Sequence, residues 1–272
     1  MPEMRQDAKT GIMFREWASS SPKIILLLVH GLGGHSLRWQ FLSEFFQRNG
    51  ISSYAIELRG FGETKGPAGH VDSFDVYIGD ILRLRHIIGE EHPGAKVFLA
   101  GESMGALLVI LAALRHPEFF SGLVCISPSF GNKLKLSVLD YIKIFLPLLY
   151  DPKRPFHLPF NSQMATRDTG YQKVLDSDER EHRFGSSKLL FEVLMAQIRI
   201  PIDGKRLSVP TLFLVSGADA ISDPVAVSKI FDGLKAADKK FILYPDMYHA
   251  LSIDIGKEKV FEDTLEWMRA RS

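Results

Sequence analysis

Over residues 11 to 116, short apolar runs alternate with longer stretches whose apolar side chains recur at helical spacing. This pattern predicts strands over 11–17, 23–30, 51–58 and 96–101, and helices over 37–49, 73–91 and 103–116. The runs 23–30 and 96–101 are apolar on both alternating sets of positions, as in strands covered on both faces of a parallel sheet. A strand over 122–126 closes this series. The alternation resumes at 211–217, followed by a helix over 224–234, a strand over 240–244 and a helix over 257–271. The pattern predicts the α/β class, with a mostly parallel central sheet flanked by helices.

Between the two series the texture changes. Pro128, Pro147, Pro152, Pro155, Pro159 and Pro201 interrupt helical stretches such as 136–150 and 186–198. This predicts a helical cap, residues 129–209, inserted into a core built from residues 1–128 and 210–272. No internal repeat, low-complexity tract or linker detaches the insertion as an independent domain. It also accounts for a length of 272 residues, longer than a single sheet and its helices need.

Composition narrows the function classes. Hydrophobic residues make up 46% and charged residues 24%, enough apolar surface for a large core. The formal net charge of +1 supplies no basic field for a polyanion, so nucleic acid is excluded as an expected partner. Cys125 is the one cysteine, so no intrachain disulfide forms, no zinc-ligand spacing is present, and neither metal nor cofactor is expected. The N-terminal residues Glu3, Arg5, Asp7 and Lys9 carry charge where a signal peptide needs its apolar core. The longest apolar runs, 24–29 and 106–114, fall far short of the roughly 18 residues of a membrane span. The expectation is a cytoplasmic protein that at most rests on a membrane.

The predicted strand 96–101 runs directly into Gly101-Glu102-Ser103-Met104-Gly105, and an apolar helix follows at once. A G-x-S-x-G sequence between strand and helix is a nucleophile elbow, which presents the serine hydroxyl at the carboxyl end of its strand. A serine needs a base to take its proton and an acid to orient that base, in this architecture in the chain order Ser, Asp or Glu, His. Of nine histidines, only His249 follows the late strands. Asp219, just past strand 211–217, is the chosen acid; Asp223 precedes Pro224, where capping the next helix suffices to explain it, and Asp246 shapes the histidine loop. The oxyanion requires two N–H donors, assigned to Met104 after the nucleophile and Leu32 in the turn after strand 23–30. A rival reading treats Gly31-Leu-Gly33-Gly-His-Ser36, with Glu57 as ribose acid, as a dinucleotide-binding turn; Ser36 stands where that fingerprint wants Gly or Ala.

With these pieces placed, the chain resembles an α/β-hydrolase, and more narrowly the monoacylglycerol lipase and lysophospholipase group. The resemblance is carried by His30-Gly-Leu-Gly-Gly-His-Ser-Leu-Arg-Trp39, Leu58-Arg-Gly-Phe-Gly62, the Gly-Glu-Ser-Met-Gly elbow, Tyr244-Pro-Asp-Met-Tyr-His-Ala250, and cap residues 176–178 and 186–190. It implies a Ser103, Asp219, His249 triad, an oxyanion hole from Leu32 and Met104, and hydrolysis of carboxylic esters through an acyl-enzyme. The chain departs from the group at Gly34, often acidic there, and at Ala106, commonly glycine; both positions are expected to line the site.

Gly31 and Glu102 are expected to contact the substrate. Leu139, Ile142 and Phe145, in the apolar stretch 137–150, are expected to line an acyl pocket and rest on lipid, although the same side chains could instead pack the cap onto the core. Lys153, Arg154, Arg167 and Arg199 are candidates to meet a phosphate. The expected substrate is a long-chain monoacylglycerol or a lysophospholipid. The alternatives are a carboxylesterase or thioesterase for small acyl groups, an acyltransferase with the same triad, and a non-catalytic lipid-binding module.

Overall fold

The computed structural model describes residues 2–272. The chain runs β1 (Met4–Gln6), β2 (Met13–Trp17), β3 (Ile24–Val29), α1 (Gln40–Arg48), β4 (Ser52–Glu57), α2 (Phe74–Glu91), β5 (Lys96–Glu102), α3 (Met104–Arg115) and β6 (Gly122–Ile126). There follow α4 (Val138–Phe145), β7 (Pro155–His157), α5 (Ser162–Ala165), α6 (Thr169–Ser177), β8 (Phe184–Ser186) and α7 (Ser187–Asp203). The chain then returns through β9 (Thr211–Ser216), α8 (Pro224–Gly233), β10 (Lys239–Tyr244) and α9 (Lys257–Arg269).

Eight strands form one sheet in the order β1-β2-β4-β3-β5-β6-β9-β10. Only the β1–β2 and β2–β4 pairings are antiparallel; the others are parallel. Side chains alternate across a strand, so each apolar run splits between two cores. Ile25, Leu27, Val29, Val97 and Leu99 join the core under α2 and α3, whereas Leu26, Leu28, Phe98 and Ala100 join the core under α1 and α9. This double coverage is why β3 and β5 carry no polar face. Helix α3 is the extreme case, with every residue from Met104 to Ala113 buried between the sheet and its neighbours α2 and α7.

The residues between β6 and β9 hold α4 to α7 and a small antiparallel ribbon of β7 and β8. Sequence periodicity misses that ribbon, β1, α5 and α6, all of three to nine residues, too short for a periodic signal. The expected helix 37–49 opens with a 3₁₀ turn at Ser36–Trp39, and the expected helix 136–150 is α-helical only over Val138–Phe145 before tightening to 3₁₀ at Leu146–Leu149, where Pro147 enters. Pro201 does not interrupt its helix: α7 carries it in the last turn, where the missing N–H removes a single rung. Packing of α7 on α3, and of α4 on α7, sets this segment against the helix that starts at Ser103.

Candidate active site

Ser103 links β5 to α3 with φ 58° and ψ −118°, a left-handed backbone that a non-glycine residue holds only where the surroundings fix it. The fixing comes from both sides: the Ser103 N–H donates to Ile126 O at 2.9 Å, and its own carbonyl accepts from Ala106 N at 3.0 Å. Glycine is required on either side. A Cβ on Gly101 would overlap the Gly105 carbonyl, and one on Gly105 would overlap the carbonyl oxygens of Val29 and His30. The elbow glycines therefore let helix and strand approach closely enough to project Ser103 at the end of the sheet.

Three side chains distant in sequence meet here. The Ser103 hydroxyl donates to His249 Nε2 at 2.9 Å, and His249 Nδ1–H donates to Asp219 Oδ2 at 2.7 Å. The second oxygen, Asp219 Oδ1, accepts from the N–H groups of Ile221 at 2.8 Å and Ser222 at 2.9 Å. Burial opposes ionisation of Asp219, but the His249 charge and hydrogen bond together with those amides hold its pKa below the usual carboxylate range. Burial likewise disfavours a charged His249, yet Asp219, with a smaller contribution from Glu102, lifts its pKa above the ordinary imidazole value. Asp223 instead caps α8, accepting from Val225 N at 3.0 Å, and Asp246 is exposed.

Met104 is the first residue of α3, so its N–H has no partner within the helix; neither it nor the Leu32 N–H donates to another group among the described residues. The direction of the Leu32 N–H follows from planarity. His30 Nδ1–H at 2.8 Å and Gly34 N–H at 3.2 Å both donate to the Gly31 carbonyl, and in a trans peptide the following N–H points the opposite way. His30 Nε2 accepts from Leu58 N at 3.1 Å, and burial lowers its pKa, keeping the ring neutral in that tautomer. Sequence reading did not single out His30 for this role, because the bonds that define it are tertiary.

A cavity of about 230 Å³ opens at Ser103. Gly31, Leu32, Gly34, Arg38, Glu102 and His249 line its polar end, and Tyr141, Ile144, Phe145, Phe160, Leu190 and Leu194 line its apolar wall. Three residues expected to line the site lie off the cavity. Leu139 and Ile142 face away from the cavity and are 57% and 50% exposed, because the same turns of α4 that point Tyr141, Ile144 and Phe145 inward carry a second apolar face outward. Ala106 is buried in the core beneath the elbow rather than on the cavity wall. The four basic candidates also lie off the cavity lining: Arg167 pairs with Asp254 at 3.0 Å, Arg199 faces Asp203, Arg154 reaches Tyr150, and Lys153 is exposed.

The rival dinucleotide reading loses its acid. Both Glu57 oxygens accept backbone N–H groups, from Ser36 at 2.6 Å and Glu63 at 2.8 Å, so the side chain shapes two turns. Among the described residues one cluster has metal-ligand types, Glu16 of β2 beside Glu91 and His92 at the C-terminal end of α2, but the Arg5 guanidinium already bridges the two carboxylates there. A second serine–histidine–aspartate grouping, Ser186, His70 and Asp72, is held differently: Ser186 is buried, and its hydroxyl caps α7 by accepting from Leu189 N at 3.1 Å.

The chain matches the family described as serine aminopeptidase, S33, over residues 20–256. It is 28% identical over 269 residues to the monoglyceride lipase of Homo sapiens, covering 95% of this chain and 86% of that protein. It is 26% identical over 254 residues to phospholipase YtpA of Bacillus subtilis, covering 90% of this chain and 95% of that one. Among solved structures, the monoacylglycerol lipase of Paleococcus ferrophilus superposes with a TM-score of 0.88 at 27% identity, covering 96% of this chain and 99% of the other. No helix among the described residues is long and apolar enough to cross a membrane.

Proposed function

The chain belongs to the serine aminopeptidase, S33, family of α/β-hydrolases and is an ester hydrolase; from that premise we propose that it cleaves long-chain monoacylglycerols, using Ser103 as nucleophile, His249 as base and acid, and Asp219 as the orienting carboxylate. The observation that carries this reading is the hydrogen-bonded run Ser103–His249–Asp219 at the mouth of a cavity whose wall is apolar. His249 takes the Ser103 proton as Oγ attacks the ester carbonyl, while the N–H groups of Leu32 and Met104 donate to the oxyanion. His249 then protonates the leaving alcohol, and a water molecule repeats the sequence on the acyl-enzyme. Every step uses side chains and amides of this chain.

The substrate class follows from the wall and from where the cations are not. Ile144, Phe145, Phe160 and Leu190 suit an acyl chain, and the outward face of α4 with the 3₁₀ turn after it, where Val138, Leu139, Ile142 and Leu149 are exposed, suits a lipid surface. Arg38, the cation on the cavity lining, is held in a two-point pair by Glu181 at 2.7 and 2.8 Å, which leaves no free positive charge for a phosphate headgroup. This favours a neutral glycerol ester over a lysophospholipid. A peptide substrate would need a free carboxylate for its terminal ammonium; Glu181 is occupied by Arg38, and Glu102 by Ser252.

Hydrolysis of p-nitrophenyl esters from acetate to palmitate tests the reading. The expected result is a kcat/KM that rises with chain length to a maximum at octanoate or beyond, since each buried methylene contributes about 0.8 kcal/mol. In a paired assay, a monoacylglycerol is expected to be cleaved about tenfold faster than a lysophosphatidylcholine of equal chain length, a difference of about 1.4 kcal/mol. A maximum at acetate points to a small-acyl esterase and contradicts the lipid assignment.

A further inference from the structure

Glu102, the last residue of β5, immediately precedes the nucleophile. Its side chain is 5% exposed and lines the cavity, yet neither of its oxygens is free: Glu102 Oε1 accepts from Ser252 N at 3.1 Å, and Oε2 accepts from Ser252 Oγ at 3.0 Å. Ser252 lies in the turn just beyond His249 and is itself buried. A buried carboxylate costs several kcal/mol unless it is bonded on all sides, so its presence beside the nucleophile calls for a compensating role.

The rest of the histidine loop is fixed from elsewhere. Tyr248 N donates to Asp254 Oδ2 at 2.8 Å, and Ala250 N donates to Ala165 O at 2.9 Å. Beside the His249–Ser103 hydrogen bond itself, the two Ser252 bonds to Glu102 tie this loop to the strand that leads into Ser103.

We propose that Glu102 is a positioning residue of the hydrolytic site: through Ser252 it fastens the His249 loop to the nucleophile elbow, and its charge favours the imidazolium formed as Ser103 attacks. The proposal rests on the serine-hydrolase reading and adds to it a fourth side chain that does not touch the reacting atoms. The ionisable groups that weigh most on the imidazole are Asp219 and Glu102, which favour its protonated form, and Arg38, which opposes it; Lys133 also approaches from behind the acid, its Nζ donating to Asp219 O at 2.9 Å. Glu102 in turn faces Arg38 and His249, with Tyr171 and Glu181 beyond Arg38; burial holds its pKa above the ordinary carboxylate value, and Arg38, the Ser252 donors and the His249 charge act in the opposite direction and favour its ionised form.

The sign is fixed by this arrangement. His249 acts as base only when neutral, so kcat/KM falls below its pKa. Removing a negative neighbour lowers that pKa and moves the acid limb to lower pH.

The test uses the full chain with Glu102→Gln and Ser252→Ala, assayed on a p-nitrophenyl ester across about pH 5–9. Glu102→Gln is expected to lower kcat about three- to tenfold with KM changed less than twofold, and to shift the acid limb down by about half a pH unit or more. Ser252→Ala keeps the charge but loses a tether; its kcat is expected to fall about threefold with the acid limb in place. An acid limb of Glu102→Gln at the wild-type position overturns the proposal. Should Glu102→Gln melt below the assay temperature, Ser252→Ala decides, and an unchanged kcat overturns it. Absence of turnover in the folded wild-type protein instead overturns the hydrolase reading itself.

Discussion

Ser103→Ala is expected to lower kcat/KM for a p-nitrophenyl ester by about 10⁵-fold or more, leaving only what the oxyanion donors and binding contribute. The melting temperature should change by no more than a few degrees, because the Ser103 hydroxyl makes its one side-chain bond to His249 and alanine meets the same backbone strain at φ 58°. Side-by-side kinetics and thermal melts check both halves. Retained turnover removes Ser103 from the chemistry, whereas a collapsed melting temperature makes it a structural residue.

That the strand–turn–helix elbow at Ser103 is legible without coordinates has a local cause. The elbow is specified by residues adjacent in sequence: an apolar strand, two glycines at fixed offsets and an apolar helix. The two-sided apolar runs of β3 and β5 likewise announced a sheet covered on both faces, and the chain order of Ser103, Asp219 and His249 pointed to three side chains that the fold brings within hydrogen-bond distance. What stayed hidden depends on three-dimensional neighbours. Helix α4 is apolar on both faces, so its sequence does not say which set, Tyr141, Ile144 and Phe145 or Leu139 and Ile142, meets the cavity. The clamp of His30 on the Gly31 carbonyl and the Ser252 contact with Glu102 join residues from separate elements, and no spacing rule announces them.

The second large effect is expected at the orienting acid. In Asp219→Asn, the carbonyl oxygen of the new amide must stay where Asp219 Oδ1 accepts from Ile221 and Ser222, which turns its NH₂ toward His249 Nδ1. Nδ1 must then accept, so the ring proton moves to Nε2, the nitrogen that has to take the Ser103 proton. The imidazole is thereby locked in the unproductive tautomer, and kcat is expected to fall about 10⁴-fold at neutral pH with KM little changed. Asp223→Asn is the control: its carboxylate caps α8, so the variant should keep full activity and lose at most about 1 kcal/mol of stability. A large loss in Asp223→Asn together with a mild one in Asp219→Asn would exchange the two assignments.

Ser103, as the activated nucleophile of an ester hydrolase, should react covalently with an electrophile that mimics the ester. The most direct measurement is covalent capture with a fluorophosphonate, read by intact mass and by mapping the modified peptide. One adduct per chain is expected, on Ser103, and none in Ser103→Ala. An unmodified wild-type chain, or an adduct on another serine such as Ser186 beside His70, would contradict it.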